Sequence, residues 1–459
     1  MSANVPNAPE KPVQYSELRD GDIDQLFASF KGFSKIALAV SGGADSTCLL
    51  IAFHDWVSRN NWDGTCEVLT VDHQLRPESS QETGFVQDLC NSLGFACFVL
   101  KWKDEKPASG LQEAARDARY QLISDHLSQS GSEAVVLAHH LDDQAETFLD
   151  RLTRGSGIYG LGAMAPDEPN GPAGLRLIRP FLDVPKESLI ATLEARNQVW
   201  CEDSSNQDPK YKRSRLRKIS GHLADEGLSA KRIATTARQM RRTRAAIESV
   251  LAHIFFDHVE EHPAGPLRIQ KHAFTAQAEE FRLRLLILMI ERATGRAHLP
   301  KLRKIEALDQ WVLAQKNGRQ TLGGAMLEIK RDVILVWKEV GRARPDTLEA
   351  ISGSGCWDNR FLYRIGALDA NYLNKTQLCL GPLYNAPVDQ QSLPWPEGWP
   401  KEAFECSPVF WTGNGAVCVR SAASLLWQDP HGGQCDITLQ RIPFPPKLAG
   451  NYRTDLKGS

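Results

Sequence analysis

Residues 35–47 read Lys-Ile-Ala-Leu-Ala-Val-Ser-Gly-Gly-Ala-Asp-Ser-Thr, and this stretch decides the fold. A short apolar run without polar alternation predicts a strand buried on both faces. It passes directly into Ser41-Gly42-Gly43-Ala44-Asp45-Ser46, and then into an amphipathic segment that starts a helix. Glycine lacks a Cβ and tolerates positive φ, so Gly42 and Gly43 are expected to let consecutive amides turn toward an anion. Ser46 and Thr47 stand at the helix start, where free N–H groups and the positive dipole end add to that attraction. Phosphate is the expected occupant.

The stretch is not the G-x-x-x-x-G-K-[ST] pattern of kinases and GTPases, because no lysine follows the glycines. Asp45 stands instead where phosphates would repel it, so it needs a cation. The simplest reading is Mg²⁺ held by Asp45 on the pyrophosphate part of ATP, which suits release of pyrophosphate rather than transfer of the γ-phosphate. Read as six residues alone, the segment is also compatible with an ordinary strand-to-helix turn.

Outward from this turn the pattern repeats. Helix-like STCLLIAFHDWV (46–57) is followed by strand-like CEVLTVDH (66–73), helical 79–94, strand-like ACFVLKW (96–102), a helix from Leu111 to about Gln129, the apolar run AVVLAHH (134–140) and a helix from Asp142 to Thr153. Apolar runs alternating with helices predict an α/β domain, a parallel sheet with helices on both faces. Ile178–Phe181 and the helix after Pro185, KESLIATLEARN, extend it.

Residues 201–218, CEDSSNQDPKYKRSRLRK, have no apolar period and carry the densest positive charge of the chain. Ser229 can cap a long helix running to Val259. Two further helices and a hairpin turning at Lys330-Arg331-Asp332 predict a small α+β domain, and the Pro-, Gly- and Trp-rich remainder predicts a β-leaning C-terminal module. The expected domains are 1–225, 226–341 and 342–459.

The 459 residues exceed one hydrophobic core, and a composition 42% hydrophobic and 24% charged is that of a globular chain. A net charge of −2 gives no basic excess, so a nucleic-acid partner has to be met by local patches. None of the ten cysteines forms Cys-x-x-Cys, which argues against a zinc ribbon, an iron–sulfur cluster or a redox pair. The opening residues lack a signal-peptide core and no membrane-length apolar run occurs, so a cytoplasmic protein without membrane contact is expected.

Three further segments carry chemistry-bearing side chains. VDHQLRPESSQE holds His73, Leu75, Arg76 and Ser79 at a strand end, where a plain loop with solvated charges is the favoured reading of the segment taken alone. LQEAARDARY puts Arg116 and Arg119 on one helical face beside Tyr120, suited to a phosphate or carboxylate, or to salt bridges with Glu113 and Asp117. AHHLDDQAETFLDRLTRGSG sets His139 and His140 before a helix on which Asp143 and Glu146 face together, so both carboxylates can enter one pocket.

Ser41–Ser46 resembles the SGGxDS loop of the N-type ATP pyrophosphatases, the PP-loop superfamily with its adenine nucleotide alpha hydrolase-like fold. The nine-residue HHxDDQxET string (139–147), the HxLRxxS segment, the AR-x-x-RY pattern and DSSN at 203–206 further resemble the tRNA(Ile)-lysidine synthases. Arg213 and Arg217 match that family's RNxxR-like element, while Ser214 stands where Asn is expected. The resemblance covers roughly residues 30 to 340.

It implies ATP and Mg²⁺ as cofactors and ligation of L-lysine to the wobble cytidine of a tRNA(Ile) with a CAU anticodon, through an adenylated cytidine, with release of AMP and diphosphate. Within it, Asp45, Asp143, Glu146, Arg116 (or Arg119) and His139 are the candidate catalytic residues. Ser41, Gly42, Gly43, Ala44, Asp45 and Ser46 form the nucleotide loop, and Asp45 and Asp143 are the candidate metal ligands. Lys212, Arg213, Arg215 and Arg217 are candidate tRNA contacts. A PP-loop tRNA thiolation enzyme and a non-catalytic tRNA-binding protein are the alternatives; thiolating relatives usually carry the cysteine pair that is missing here. A homodimer is compatible with the sequence, and no residue demands one.

Overall fold

The computed structural model describes residues 15–74, 79–107, 109–202, 212–296, 300–341, 344–365, 378–387, 393, 395–412, 417–418, 425–428 and 434–442. The chain forms two compact units, Met1–Ala245 and Ala246–Ser459.

The first unit runs α1 (Asp20–Phe27), β1 (Lys35–Ala39), α2 (Ala44–Asn60), β2 (Thr65–Asp72), α3 (Ser79–Leu93), β3 (Ala96–Lys101), α4 (Leu111–Ser130) and β4 (Val135–Val136). It continues α5 (Leu141–Leu152), α6 (Ile158–Leu161), β5 (Asp167–Glu168), β6 (Leu177–Ile178), α7 (Lys186–Ala195), α8 (Lys212–Asp225) and α9 (Ala230–His258), whose residues from Ala246 onward belong to the second unit. Ser229 accepts the Arg232 amide at α9's start, the N-cap the sequence offered.

The six strands pair in the order β3-β2-β1-β4-β6-β5, all parallel except the edge strand β5. β1 has no polar side because helices cover both faces. Ile36 and Leu38 join a core with Leu49, Phe53, Trp56, Val68 and Leu189, while Ala37, between them, joins Leu69, Tyr120, Ile123 and Leu127 of α4 on the other face. The chain leaves β1 toward β2 and β3 and returns on its other side at β4. The carboxyl ends of β1 and β4 therefore flank the point where strand order reverses, the place where open α/β sheets bind ligands. The glycine loop follows β1 and the His-Asp segment follows β4.

After the end of α9 the second unit runs β7 (Val259–Glu261), β8 (Leu267–Gln270), α10 (Lys271–Thr275), α11 (Glu279–Thr294), α12 (Leu302–Ala314), β9 (Gly318–Leu322), β10 (Ala325–Lys330) and β11 (Val333–Lys338). Its antiparallel sheet has the order β7-β8-β11-β10-β9. The expected hairpin is present: Lys330 pairs Val333, and Arg331 and Asp332 take φ of 49° and 60°, the two left-handed residues of a type I′ turn. Of the helices before it, α11 and α12 are the two expected, and the short α10 is an addition.

Beyond it lie β12 (Ser354–Trp357), β13 (Phe361–Ile365), β14 (Leu378–Pro382), β15 (Pro408–Thr412), β16 (Val417–Cys418), β17 (Leu425–Gln428) and β18 (Gln434–Arg441), in antiparallel sheets ordered β12-β13-β18-β17 and β14-β15-β16. These β-rich residues hold the end of α11, whose last carbonyls have no intrahelical donor. Arg360 donates to Ala293 O at 3.2 Å, Arg441 donates to Arg292 O, and Lys338 and Arg360 share the carboxylate of Asp358.

Candidate active site

Gly42 takes φ 87°, the left-handed region that favours glycine, while its carbonyl accepts the Cys201 amide at 2.9 Å and the Thr47 hydroxyl at 3.1 Å. Gly43 differs from expectation. It is extended at φ −71° and serves as N-cap of α2, so only one glycine of the pair uses its conformational freedom. Ser46 Oγ accepts the Ser41 amide and donates to Gly43 O, each at 3.1 Å, which closes the loop on itself. The amides of Ala44, Asp45 and Ser46 occupy the first helical turn and have no intrahelical acceptor, which leaves them for an anion.

A Cβ on Gly42 would meet Val86, Cys201 and Phe85 at 3.4 to 3.5 Å, ordinary contact distances, so the cost of substitution lies in the backbone. Gly42→Ala is expected to destabilise the protein by about 1–2 kcal/mol and to raise the KM for ATP more than it lowers the melting temperature, as thermal melts and steady-state kinetics would show.

Opposite the loop, His140 is 2% exposed and gathers three carboxylates. Its Nε2 lies 3.5 Å from Asp45 and 3.4 Å from Asp143, and its Nδ1 lies 3.5 Å from Asp142. Burial opposes the charge on the ring, but Asp142, Asp45 and Asp143 outweigh it and push its pKa up to about 10. Burial likewise acts to raise Asp45, yet His140, Lys186 and Arg217 hold its carboxyl below the usual range. Asp143 caps α5 by accepting the His140 amide at 3.1 Å, and Asp142 accepts the Lys186 amide at 3.1 Å from the start of α7. Three strand-to-helix connections thus meet here: those after β1, β4 and β6.

Glu146, buried on α5, accepts Arg217 Nε at 2.7 Å. Arg217 belongs to α8, held on α5 by the apolar contacts of Leu216 with Ala145, Phe148 and Leu149. The last arginine of the basic segment therefore reaches the carboxylate cluster. Lys212 contacts Asp150 at 2.6 Å, and Arg215 is exposed; the Arg213 side chain, like Leu75, Arg76, Asp203, Ser205 and Asn206, lies outside the described residues.

Arg119 Nη2 lies 3.4 Å from His73 Nε2, which brings together two segments singled out separately in the sequence. Burial and Arg119 pull the His73 ring down to about 4. Arg116 lies over the Tyr120 ring at 5.0 Å, and His139 is half-buried next to His140. Ser79 donates to Asp72, which also accepts the Gln74 amide at 2.9 Å and so shapes the strand-end loop after β2.

The donor set fits Mg²⁺. Asp45 Oδ1 is buried without a hydrogen-bond partner, and Asp143 approaches the same imidazole as Asp45. Among the described residues no group of three or more His, Cys, Asp or Glu forms a ready metal cage. Mg²⁺ keeps waters and binds through one or two carboxylates plus substrate phosphates, and Asp45 and Asp143 offer two such carboxylates. Cys201, against the glycine loop, has its thiol pushed up by burial, the opposite of what a nucleophilic cysteine requires.

His140, Asp142 and Lys186 join the site without having been among its expected residues. His140 had a usable signal: it directly precedes the helix, three residues before an acid that can cap it. Lys186 had none, since it comes from a connection read as scaffold.

A phosphate-binding loop after β1, carboxylates after β4, and a parallel sheet reversing between them define a PP-loop nucleotide-binding enzyme. The PP-loop domain family matches residues 17–223. The tRNA(Ile)-lysidine synthase of Bradyrhizobium sp. strain BTAi1 is 39% identical over 69% of this chain and 93% of its own length. Those of Rhodopseudomonas palustris strain CGA009 and Wolbachia pipientis wMel are 38% and 33% identical, over 68% and 72% of this chain and 92% and 76% of theirs. The chain belongs to the tRNA(Ile)-lysidine synthase family, ligases that form a carbon–nitrogen bond. Among solved structures, the U34-tRNA thiolase NcsA from Methanococcus maripaludis with its [4Fe-4S] cluster is similar at TM-score 0.42 and 14% identity, covering 48% of this chain and 77% of that one.

Proposed function

We propose that the protein joins L-lysine to C2 of the wobble cytidine in a tRNA(Ile) with a CAU anticodon and converts ATP to AMP and diphosphate. The observation that carries this reading is the gathering of Asp45, Asp142 and Asp143 about His140 beside the phosphate loop, with Asp45 Oδ1 unpartnered. In the first step the cytosine O2 attacks the α-phosphorus and the bond to pyrophosphate breaks. In the second the neutral ε-amine of lysine adds to C2, loses a proton, and AMP leaves with the oxygen.

Asp45 and Asp143 would hold Mg²⁺, which when bound neutralises charge on the departing pyrophosphate. The loop amides from Gly42 to Ser46 cradle the phosphates. Glu146 and Asp143 face the lysine ammonium groups, and Arg217, paired with Glu146 here, links that carboxylate to the tRNA-facing helix α8. Arg116 or Arg119 pairs with a carboxylate or phosphate, and His139 donates a hydrogen bond to the substrate. Lys212, Arg213 and Arg215 contact the tRNA backbone. The wobble base must leave its stack to enter the crevice.

Catalysis belongs to residues 1–225, followed by 226–341 and a β-rich 342–459. No described helix is long and apolar enough to cross a membrane, and a cytoplasmic protein suits a tRNA substrate. No residue of this scheme requires a second copy of the chain. Radiolabelled lysine should enter an isoleucine CAU transcript in the presence of ATP, and not a transcript with uridine at the wobble position. Lysine-independent RNA labelling by a sulfur donor would favour a thiolation enzyme instead.

A further inference from the structure

We infer that Lys186 is a catalytic residue that holds the departing pyrophosphate, an inference that rests on the reading of this crevice as the site of ATP cleavage. Lys186 is the first residue of α7, at the connection after β6. Its ammonium lies 4.0 Å from Asp45 Oδ2 and its side chain is 37% exposed. A distance of 4.0 Å is beyond a hydrogen bond, so the carboxylate attracts the ammonium without engaging it. Lys212 and Lys35 of this unit, by contrast, are engaged at short range, Lys212 with Asp150 at 2.6 Å and Lys35 with Ser130 O at 2.8 Å.

The backbone, not the ammonium, anchors the residue. The Lys186 amide donates to Asp142 at 3.1 Å, and the Leu141 amide donates to Val184 O at 2.9 Å, so the starts of α5 and α7 are tied together. Below them, Leu189 and Leu193 of α7 share one core with Leu49 and Phe53 of α2, the helix that carries the phosphate loop. Packing therefore fixes the position of Lys186 relative to the loop while its four-carbon stem leaves the charge adjustable.

Charge balance explains why a cation is needed at that position. The crevice already holds Asp45, Asp142, Asp143 and Glu146, and ATP adds several more negative charges. Of the cations the structure brings here, His140 lies among three aspartates and Arg217 is held by Glu146. Arg217 arrives on α8, the helix read as facing tRNA, whereas Lys186 reaches Asp45 from α7. When the bond between the α- and β-phosphorus breaks, negative charge grows on the bridging oxygen and leaves with pyrophosphate. A lysine offers three rotatable donors on a point charge, suited to phosphate oxygens that move as they depart. Asp45 would keep the metal while Lys186 turns from Asp45 to the pyrophosphate.

Calorimetric titration of the full chain with Mg²⁺-pyrophosphate, and separately with AMP, tests this in the wild type, Lys186→Met and Lys186→Arg. Loss of one charge-assisted contact should weaken pyrophosphate binding about tenfold or more in Lys186→Met while AMP binding stays within about twofold. Lys186→Arg should recover most of the loss. In turnover with tRNA, kcat for AMP formation should fall in Lys186→Met with the KM for lysine unchanged. Unchanged pyrophosphate affinity in Lys186→Met, parallel loss of pyrophosphate and AMP without recovery in Lys186→Arg, or a wild type that does not bind Mg²⁺-pyrophosphate would each overturn the assignment. A wild type that binds pyrophosphate through Lys186 but transfers no lysine would leave this inference standing and remove the ligase reading.

Discussion

Asp45→Ala is expected to lose AMP formation from ATP, in the presence of tRNA and lysine, by a factor of about 10³ or more. Asp45 stands in the first turn of the helix behind the phosphate loop, where its charge opposes the nucleotide unless a cation intervenes. One of its oxygens faces His140 and the other is buried without a partner, the arrangement of a carboxylate kept for a metal. Removing it takes away metal affinity and leaves His140 with Asp142 and Asp143 only. Chromatography of α-labelled ATP incubated with tRNA and lysine measures AMP directly; retained AMP formation in a folded variant would remove Asp45 from the metal site.

The second large effect is expected at His140. His140→Leu removes the cation from between three aspartates and should destabilise the protein by about 3–5 kcal/mol in metal-free buffer, the range seen when one partner of a buried charge pair is deleted. The pH dependence has a definite sign. The folded-state pKa of His140 is about 10, above the ordinary 6.5, so folding favours the protonated ring. Its stabilisation is fully present below about pH 6.5 and is lost as pH rises through about 10. The gap in melting temperature between wild type and variant should accordingly shrink from pH 7 to pH 10, and Mg²⁺ should narrow it at pH 7 by supplying another cation. A gap that widens with pH would mean that the imidazole is neutral in the native protein.

The parts of this site that lie in one continuous segment were readable from the chain. β1 and its loop announced themselves because a doubly buried strand has to be apolar throughout and because a phosphate turn needs a residue such as Gly42 at positive φ. The acids after β4 were readable as a set because Asp143 and Glu146 are three apart on a helix. Which histidine organises them was not, because His139 and His140 differ only in which one the backbone turns inward. Lys186 was invisible: its relation to Asp45 exists only because β6 lies beside β4 in the sheet.

The second unit gives the same lesson. The hairpin at Arg331-Asp332 is local and was legible, whereas the Arg360 and Arg441 contacts to the end of α11 join residues far apart in the chain. No periodicity signals such a pairing.

In the proposed reaction the crevice between β1 and β4 activates RNA with ATP before lysine enters. It is tested most directly by incubating the protein with α-labelled ATP, Mg²⁺ and an isoleucine CAU transcript in the absence of lysine, then isolating the RNA. Label should be covalently attached to the transcript at the wobble cytidine and be released as AMP when lysine is added. RNA that stays unlabelled while lysine is still incorporated would contradict it.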